Sequence, residues 1–230
     1  MQTRADLSIL DDLGRLRALD PGDMLGRLGE TAMQVRTAWE EVQRLALPPD
    51  YRDVQHLVIL GMGGSAIGGE LLRTLTYSEA RIPIVICREY DLPGFAGPHS
   101  LVIGVSYSGN TEETLSAFQQ ARQRGCRLLA ITSGGELARL AAQYGAPLYR
   151  FSYKAQPRAA MGYLFIPLLA VAERLGIIGS QEQSVQEATQ VVEQLSRELD
   201  ANVPSARNPA KQLAGRLHGR LPVVYGAGIL

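Results

Sequence analysis

The chain is poor in the residues that build several kinds of reactive centre: it has two cysteines, Cys87 and Cys126, three histidines, His56, His99 and His218, and two lysines, Lys154 and Lys211. Two cysteines, one in a predicted strand and one at a helix end, cannot form a disulfide framework or a thiolate metal site, and the histidines lack ligand spacing. No metal is expected. Neither lysine stands in a recognisable Schiff-base setting. Lys+Arg and Asp+Glu both number 23, so no basic field exists to hold a nucleic acid. The longest apolar run, residues 161–172, contains Pro167 and is too short to span a bilayer, so it reads as a buried helix and no membrane partner is expected. Asp6, Asp11 and Asp12 interrupt the start of the chain where a signal peptide would be basic and then continuously apolar. A cytoplasmic location follows by default.

What the chain has is alternation. Residues 6–47 read as helical, with Leu7, Leu10, Leu13 and Leu16 on one stripe and a longer apolar series from Met24 to Leu45, stopped by Pro48-Pro49. Beyond them the pattern predicts strand 55–60, helix 66–75, strands 84–87 and 101–105, helix 111–124, strand 127–131, helix 136–144 and strand 146–151. Short Val/Ile/Leu runs between amphipathic helices argue for an α/β sandwich: a parallel sheet of five strands covered on both faces. Helices over 160–175, 181–200 and 206–219 follow. Residues 221–228 then restate the strand-then-glycine pattern of 57–64. We read a helical N-terminal segment (1–50), an α/β domain (51–155), a helical connector (156–220) and the beginning of an incomplete second lobe (221–230). The other reading of that last stretch is an ordinary sixth strand.

Two turns stand out, Gly61-Met62-Gly63-Gly64-Ser65 and Ser106-Tyr107-Ser108-Gly109-Asn110-Thr111. Each follows an apolar run and opens a helical pattern. A helix start offers unpaired N–H groups and partial positive charge, glycine admits an anion close to the backbone, and hydroxyls add neutral donors. A pocket for a phosphorylated small molecule is the natural reading. The first turn can be forced onto the dinucleotide fingerprint with Glu89 as the ribose acid, but that fingerprint accounts neither for Ser65 nor for the second turn, and the lysine of a triphosphate loop is missing. A bare strand-to-helix turn is the plainer alternative, although the glycines between Gly61 and Gly69 exceed what a turn needs. In the second turn, Asn110 and Glu113 can form a capping box, which still leaves Ser106 and Ser108 unexplained. Glu112 and Glu113 suit the helix dipole better than the role of catalytic base.

The hydroxyl turn matches Ser-x-Ser-Gly-x-Thr, and the chain here resembles a sugar isomerase (SIS) domain. Together with Gly61-Met62-Gly63-Gly64-Ser65 and the later Gln156-Pro157-Arg158-Ala159-Ala160-Met161-Gly162-Tyr163, it is similar more narrowly to the bifunctional phosphoglucose/phosphomannose isomerases. The resemblance implies an SIS-type fold, a phosphorylated sugar as substrate, no cofactor and a homodimer; the apolar 161–172 helix suits either a subunit contact or a contact with the second lobe. It implies that Gly64, Ser65, Ser106, Ser108 and Thr111 hold the phosphate and that Arg158 lies beside the enediolate oxygens, where the alternative is a surface charge on a linker. It also implies an acid/base glutamate and histidine in a second lobe, for which this sequence has no matching positions. His218 reads as an exposed or capping histidine. The expected function is interconversion of glucose 6-phosphate or mannose 6-phosphate with fructose 6-phosphate, the alternative a non-catalytic phosphosugar-binding module.

Overall fold

The computed structural model describes residues 7–226; residues 1–6 of the expected N-terminal segment and 227–230 of the expected second lobe lie outside the described residues. Before Pro48 the single helical stretch resolves into a 3-10 turn (Leu7–Asp11) and helices α1 (Leu13–Leu19), α2 (Met24–Gly29) and α3 (Thr31–Gln43). The break has a local cause. Pro21 and Gly22 disfavour helix, and the Asp20 carboxylate accepts from the N–H groups of Met24 and Leu25 at 2.8 Å each, capping a fresh start.

The α/β region follows as β1 (His56–Leu60), α4 (Gly63–Leu75), β2 (Ile84–Cys87), β3 (Ser100–Ser106), α5 (Glu112–Gln123), β4 (Arg127–Thr132), α6 (Gly135–Tyr144) and β5 (Leu148–Arg150). The strands form one all-parallel sheet in the order β2-β1-β3-β4-β5, as the alternation predicts. Period-two alternation sorts its side chains. Leu57, Ile59, Leu101, Ile103, Leu129 and Ile131 face a core shared with Trp39, Val42 and Leu72. Val58, Leu60, Val102, Leu128 and Ala130 face the other, with Phe118, Ala121 and Leu137 of α5 and α6. All seven residues of β3 are buried, as befits a central strand covered twice.

The expected connector holds α7 (Met161–Arg174), α8 (Glu182–Glu198) and α9 (Pro209–Leu217). α7 is the buried helix predicted from its apolar run, but α3 and α4 of the same chain cover it, so it supplies no argument for a subunit contact. Among the described residues no helix is long and apolar enough to cross a membrane. Residues 221–226 form no strand and add none to the sheet; Val224 and Tyr225 are each 92% exposed.

α9 is tied to the N-terminal turn. Asp11 accepts from the Ser205 N–H at 2.8 Å, from Ser205 Oγ at 2.7 Å and from Lys211 Nζ at 3.0 Å. These bonds, Ser205 Oγ foremost, hold its carboxyl below the ordinary value of 3.8. A carboxyl depressed in the folded state contributes stability that is present above the unfolded value and lost as pH falls through the folded one. The tie is therefore expected to weaken progressively as pH falls below about 4. Asp11→Asn should lower the melting temperature at neutral pH and flatten its acid limb, which thermal melts across the acid range would check.

Candidate functional site

Strand order creates the site. The chain leaves β1 toward β2 on one side and leaves β3 toward β4 on the other, yet β1 and β3 are paired neighbours, Leu60 opposite Gly104. Where connections diverge in this way the loops part, and open parallel sheets take ligands in the crevice outside the carboxyl ends. Both singled-out turns flank that crevice.

In the first turn, α4 begins at Gly63, three residues ahead of the expected start, with Met62 as N-cap making no side-chain bond. Gly63, Gly64 and Ser65 thus form the opening turn of the helix. The first bonds into it start at Ser65, whose N–H reaches Met62 O at 2.9 Å, and the Gly63 and Gly64 N–H groups precede them. Ser65 is buried, and its Oγ accepts from the Tyr107 N–H at 3.3 Å, which joins the two turns.

The second turn is organised around its hydroxyls. Ser106 ends β3, 1% exposed; its Oγ accepts from the Gly109 N–H at 3.0 Å and pairs with Thr111 Oγ1 at 2.8 Å. Ser108 is exposed, and its Oγ accepts from the Asn110 N–H at 3.2 Å. The predicted capping box is not formed. Thr111 is the N-cap of α5, without a side-chain capping bond, while Asn110 Oδ1 accepts from the Glu136 N–H at 3.0 Å and caps α6 instead. That exchange follows from packing: the turn leans on a third strand-to-helix turn, residues 132–136, where Leu137 N–H reaches Gly109 O at 2.9 Å and Ser133 Oγ reaches Tyr107 O at 2.7 Å. Glu112 accepts from Tyr90 OH at 3.2 Å, which raises the phenol pKa.

Each of these hydroxyl oxygens is fixed by what it accepts, and the hydrogens remain. A hydroxyl carries one donor and two lone pairs. Ser65 Oγ and Ser108 Oγ accept from backbone N–H groups and donate to no described residue, and the Ser106–Thr111 pair uses one of its two hydrogens internally. Three O–H donors thus remain beside two helix N-termini, an arrangement whose chemistry suits an anion.

Arg158 lies in a short 3-10 turn, Pro157–Ala159, between β5 and α7. Its backbone abuts the first turn: a Cβ built on Gly64 would stand 3.4 Å from Arg158 N and 3.5 Å from Pro157 C. The side chain is exposed and makes no hydrogen bond or ion pair among the described residues, so its charge is available to a ligand. The structure thus sets Gly64, Ser65, Ser106, Ser108 and Thr111 in two joined turns and the Arg158 backbone against the first of them. His218 caps the end of α9, exposed, as its sequence context suggests. A cavity of about 490 Å³ lies elsewhere, between α1, α2 and α8; leucines dominate its lining and none of the turn residues reaches it. Sequence reasoning missed the buttressing turn at 132–136, although Ser133-Gly134-Gly135 after a strand is the same signal, and it missed Tyr107 and Gln34, discussed below.

Comparison with known proteins gives the geometry a family. Residues 50–145 match the SIS domain. The chain is 40% identical over 193 residues to a bifunctional phosphoglucose/phosphomannose isomerase of Caldicellulosiruptor bescii, covering 84% of this chain and 57% of the relative. It is 32% identical over 188 residues to the protein of the same description from Aquifex aeolicus, covering 81% and 53%. The solved structure of a hypothetical protein from Thermus thermophilus shares the fold, with a TM-score of 0.63 at 20% identity over 92% of this chain and 52% of that one. The chain spans about half the length of the curated relatives it matches. Residues 50–145 are thus an SIS domain, in a chain similar in sequence to the bifunctional phosphoglucose/phosphomannose isomerases.

Proposed function

We propose that this chain binds a hexose 6-phosphate across the β1–α4 and β3–α5 turns and serves its aldose–ketose isomerisation, glucose 6-phosphate or mannose 6-phosphate to fructose 6-phosphate, through a cis-enediol. The observation that carries the reading is the set of free hydroxyl hydrogens of Ser65, Ser108 and the Ser106–Thr111 pair, held at two helix N-termini on either side of one crevice. A phosphate monoester carries nearly two negative charges and three acceptor oxygens, which suits such donors.

The chemistry asked of the site is modest. After ring opening, the proton on carbon 2 leaves to a base as the electron pair forms the enediolate double bond and the carbonyl electrons move onto oxygen 1; the hydroxyl proton of oxygen 2 is transferred to oxygen 1, and as the carbonyl forms at carbon 2 a proton returns to carbon 1, with no electrons exchanged with a cofactor. Negative charge grows on the oxygens of carbons 1 and 2. The exposed guanidinium of Arg158, whose backbone abuts Gly64, can meet that charge with several donors and without losing its own proton. The proton carrier itself is not among the six residues, since none of them is a carboxylate or an imidazole. That same fact supports a second reading, a phosphosugar-binding module without turnover. The homodimer belongs to the first reading, and sedimentation of the protein would test it.

Incubation with glucose 6-phosphate in deuterated water separates the two. Label appearing at carbon 2 supports isomerisation, binding without label supports the module, and the absence of binding overturns both. Ser108→Ala and Thr111→Ala should each weaken phosphate-dependent binding by about 1–3 kcal/mol, the range for a lost charge-assisted bond. Unchanged affinity measured by calorimetry would remove the second turn from the site.

A further inference from the structure

The segment leading to Arg158 has no regular structure from residue 151 to 156, yet it is pinned from two directions. On one side stands Tyr107, between Ser106 and Ser108 of the hydroxyl turn. Its OH donates to Tyr153 O and accepts from the Ala155 N–H at 2.8 Å. On the other side stands Gln34 of α3, 1% exposed. Its Nε2 donates to Ala159 O at 2.8 Å and to Tyr153 OH at 3.1 Å, and its Oε1 accepts from the Gly162 N–H at 3.3 Å. Tyr153 OH in turn donates to Glu30 at 2.6 Å. α7 can approach this closely because residue 162 is glycine: a Cβ there would stand 2.5 Å from Gln34 Cβ.

A contact whose purpose was only to hold α3 against α7 would be served by an apolar side chain, with no amide to desolvate. Gln34 is instead a buried amide with every donor and acceptor engaged, and its partners at 153, 159 and 162 bracket Arg158. We propose that Gln34 and Tyr107 are positioning residues for Arg158, Tyr107 coupling the phosphate turn to the irregular segment before it and Gln34 fixing the turn that carries it, so that seating the phosphate and placing the guanidinium are one event. The inference rests on the function proposed above. Its physical basis is that binding energy from a remote, unreactive group can be used to order the reacting centre, where a displacement of about 1 Å costs on the order of 100-fold.

Calorimetry with two probes tests it: inorganic phosphate, and a five-carbon aldonic acid 5-phosphate whose carboxylate imitates the enediolate. The unaltered protein should prefer the aldonate, and Arg158→Ala should remove the preference. Gln34→Leu and Tyr107→Phe should keep phosphate affinity within about twofold, lose about tenfold toward the aldonate, and lose nothing more when combined with Arg158→Ala. Equal losses toward both probes, no loss, or losses that add to that of Arg158→Ala would overturn the proposal. Where Gln34→Leu does not fold, Tyr107→Phe alone decides. An unaltered protein with no preference for the aldonate would sink the functional reading, and this inference with it.

Discussion

Gly109→Ala should abolish phosphate binding and cost about 2–5 kcal/mol of stability, the sum of about 1–2 kcal/mol for a left-handed non-glycine residue and about 1–3 kcal/mol for a forced contact. Gly109 has φ +73°, and a Cβ there would lie 1.8 Å from Gly134 O. That oxygen is backbone and cannot swing aside. It accepts from Thr132 Oγ1 at 2.9 Å, which also accepts from the Gly134 N–H at 3.1 Å, so the opposing turn is braced. Relief must come from the hydroxyl turn, through loss of the Leu137 N–H to Gly109 O bond and of the Gly109 N–H that orients Ser106 Oγ. Against a total of about 5–15 kcal/mol, such a loss would shift a urea midpoint far enough to read easily. An unchanged midpoint would contradict the contact.

Arg158→Ala carries the largest expected effect on chemistry. If the guanidinium meets charge that exists only in the transition state, its removal should slow label exchange at carbon 2 by about 10²–10³-fold, equivalent to about 2.7–4 kcal/mol. The Michaelis constant should change little, because the phosphate is held by other groups. Arg158→Lys should recover only a small part, since a compact ammonium cannot present a planar fork of donors to two neighbouring oxygens. Equal exchange rates in Arg158→Ala and the unaltered protein would place Arg158 outside the reaction.

Much of the fold is legible along the chain because its causes are local. Runs such as 57–60 and 101–105 are short, branched and apolar, and their alternation with amphipathic helices leaves little besides a covered parallel sheet. The donors of the site are legible for the same reason, as glycines and hydroxyls at helix starts. Misplaced details were those with a distant cause. Asn110 looks like the cap of its own helix, but the neighbouring turn offers it the Glu136 N–H. The 161–172 run reads correctly as buried, but what buries it is not legible locally, and α3 and α4 do so. At 20–23 the error was different: Pro-Gly after Asp is a local stop, and the periodicity of the leucines outweighed it.

Taken alone, the amino-acid order determines which segments are strands and helices and which atoms can grip an anion, because backbone preference and side-chain chemistry act over a few residues. Only the tertiary structure decides that β1 lies beside β3, that both turns open on one crevice, and that Arg158, with Gln34 behind it, reaches the glycine turn. Those are contacts between residues far apart in the chain. Their strength depends on packing and solvent exclusion, which exist once the sheet and its covering helices have assembled.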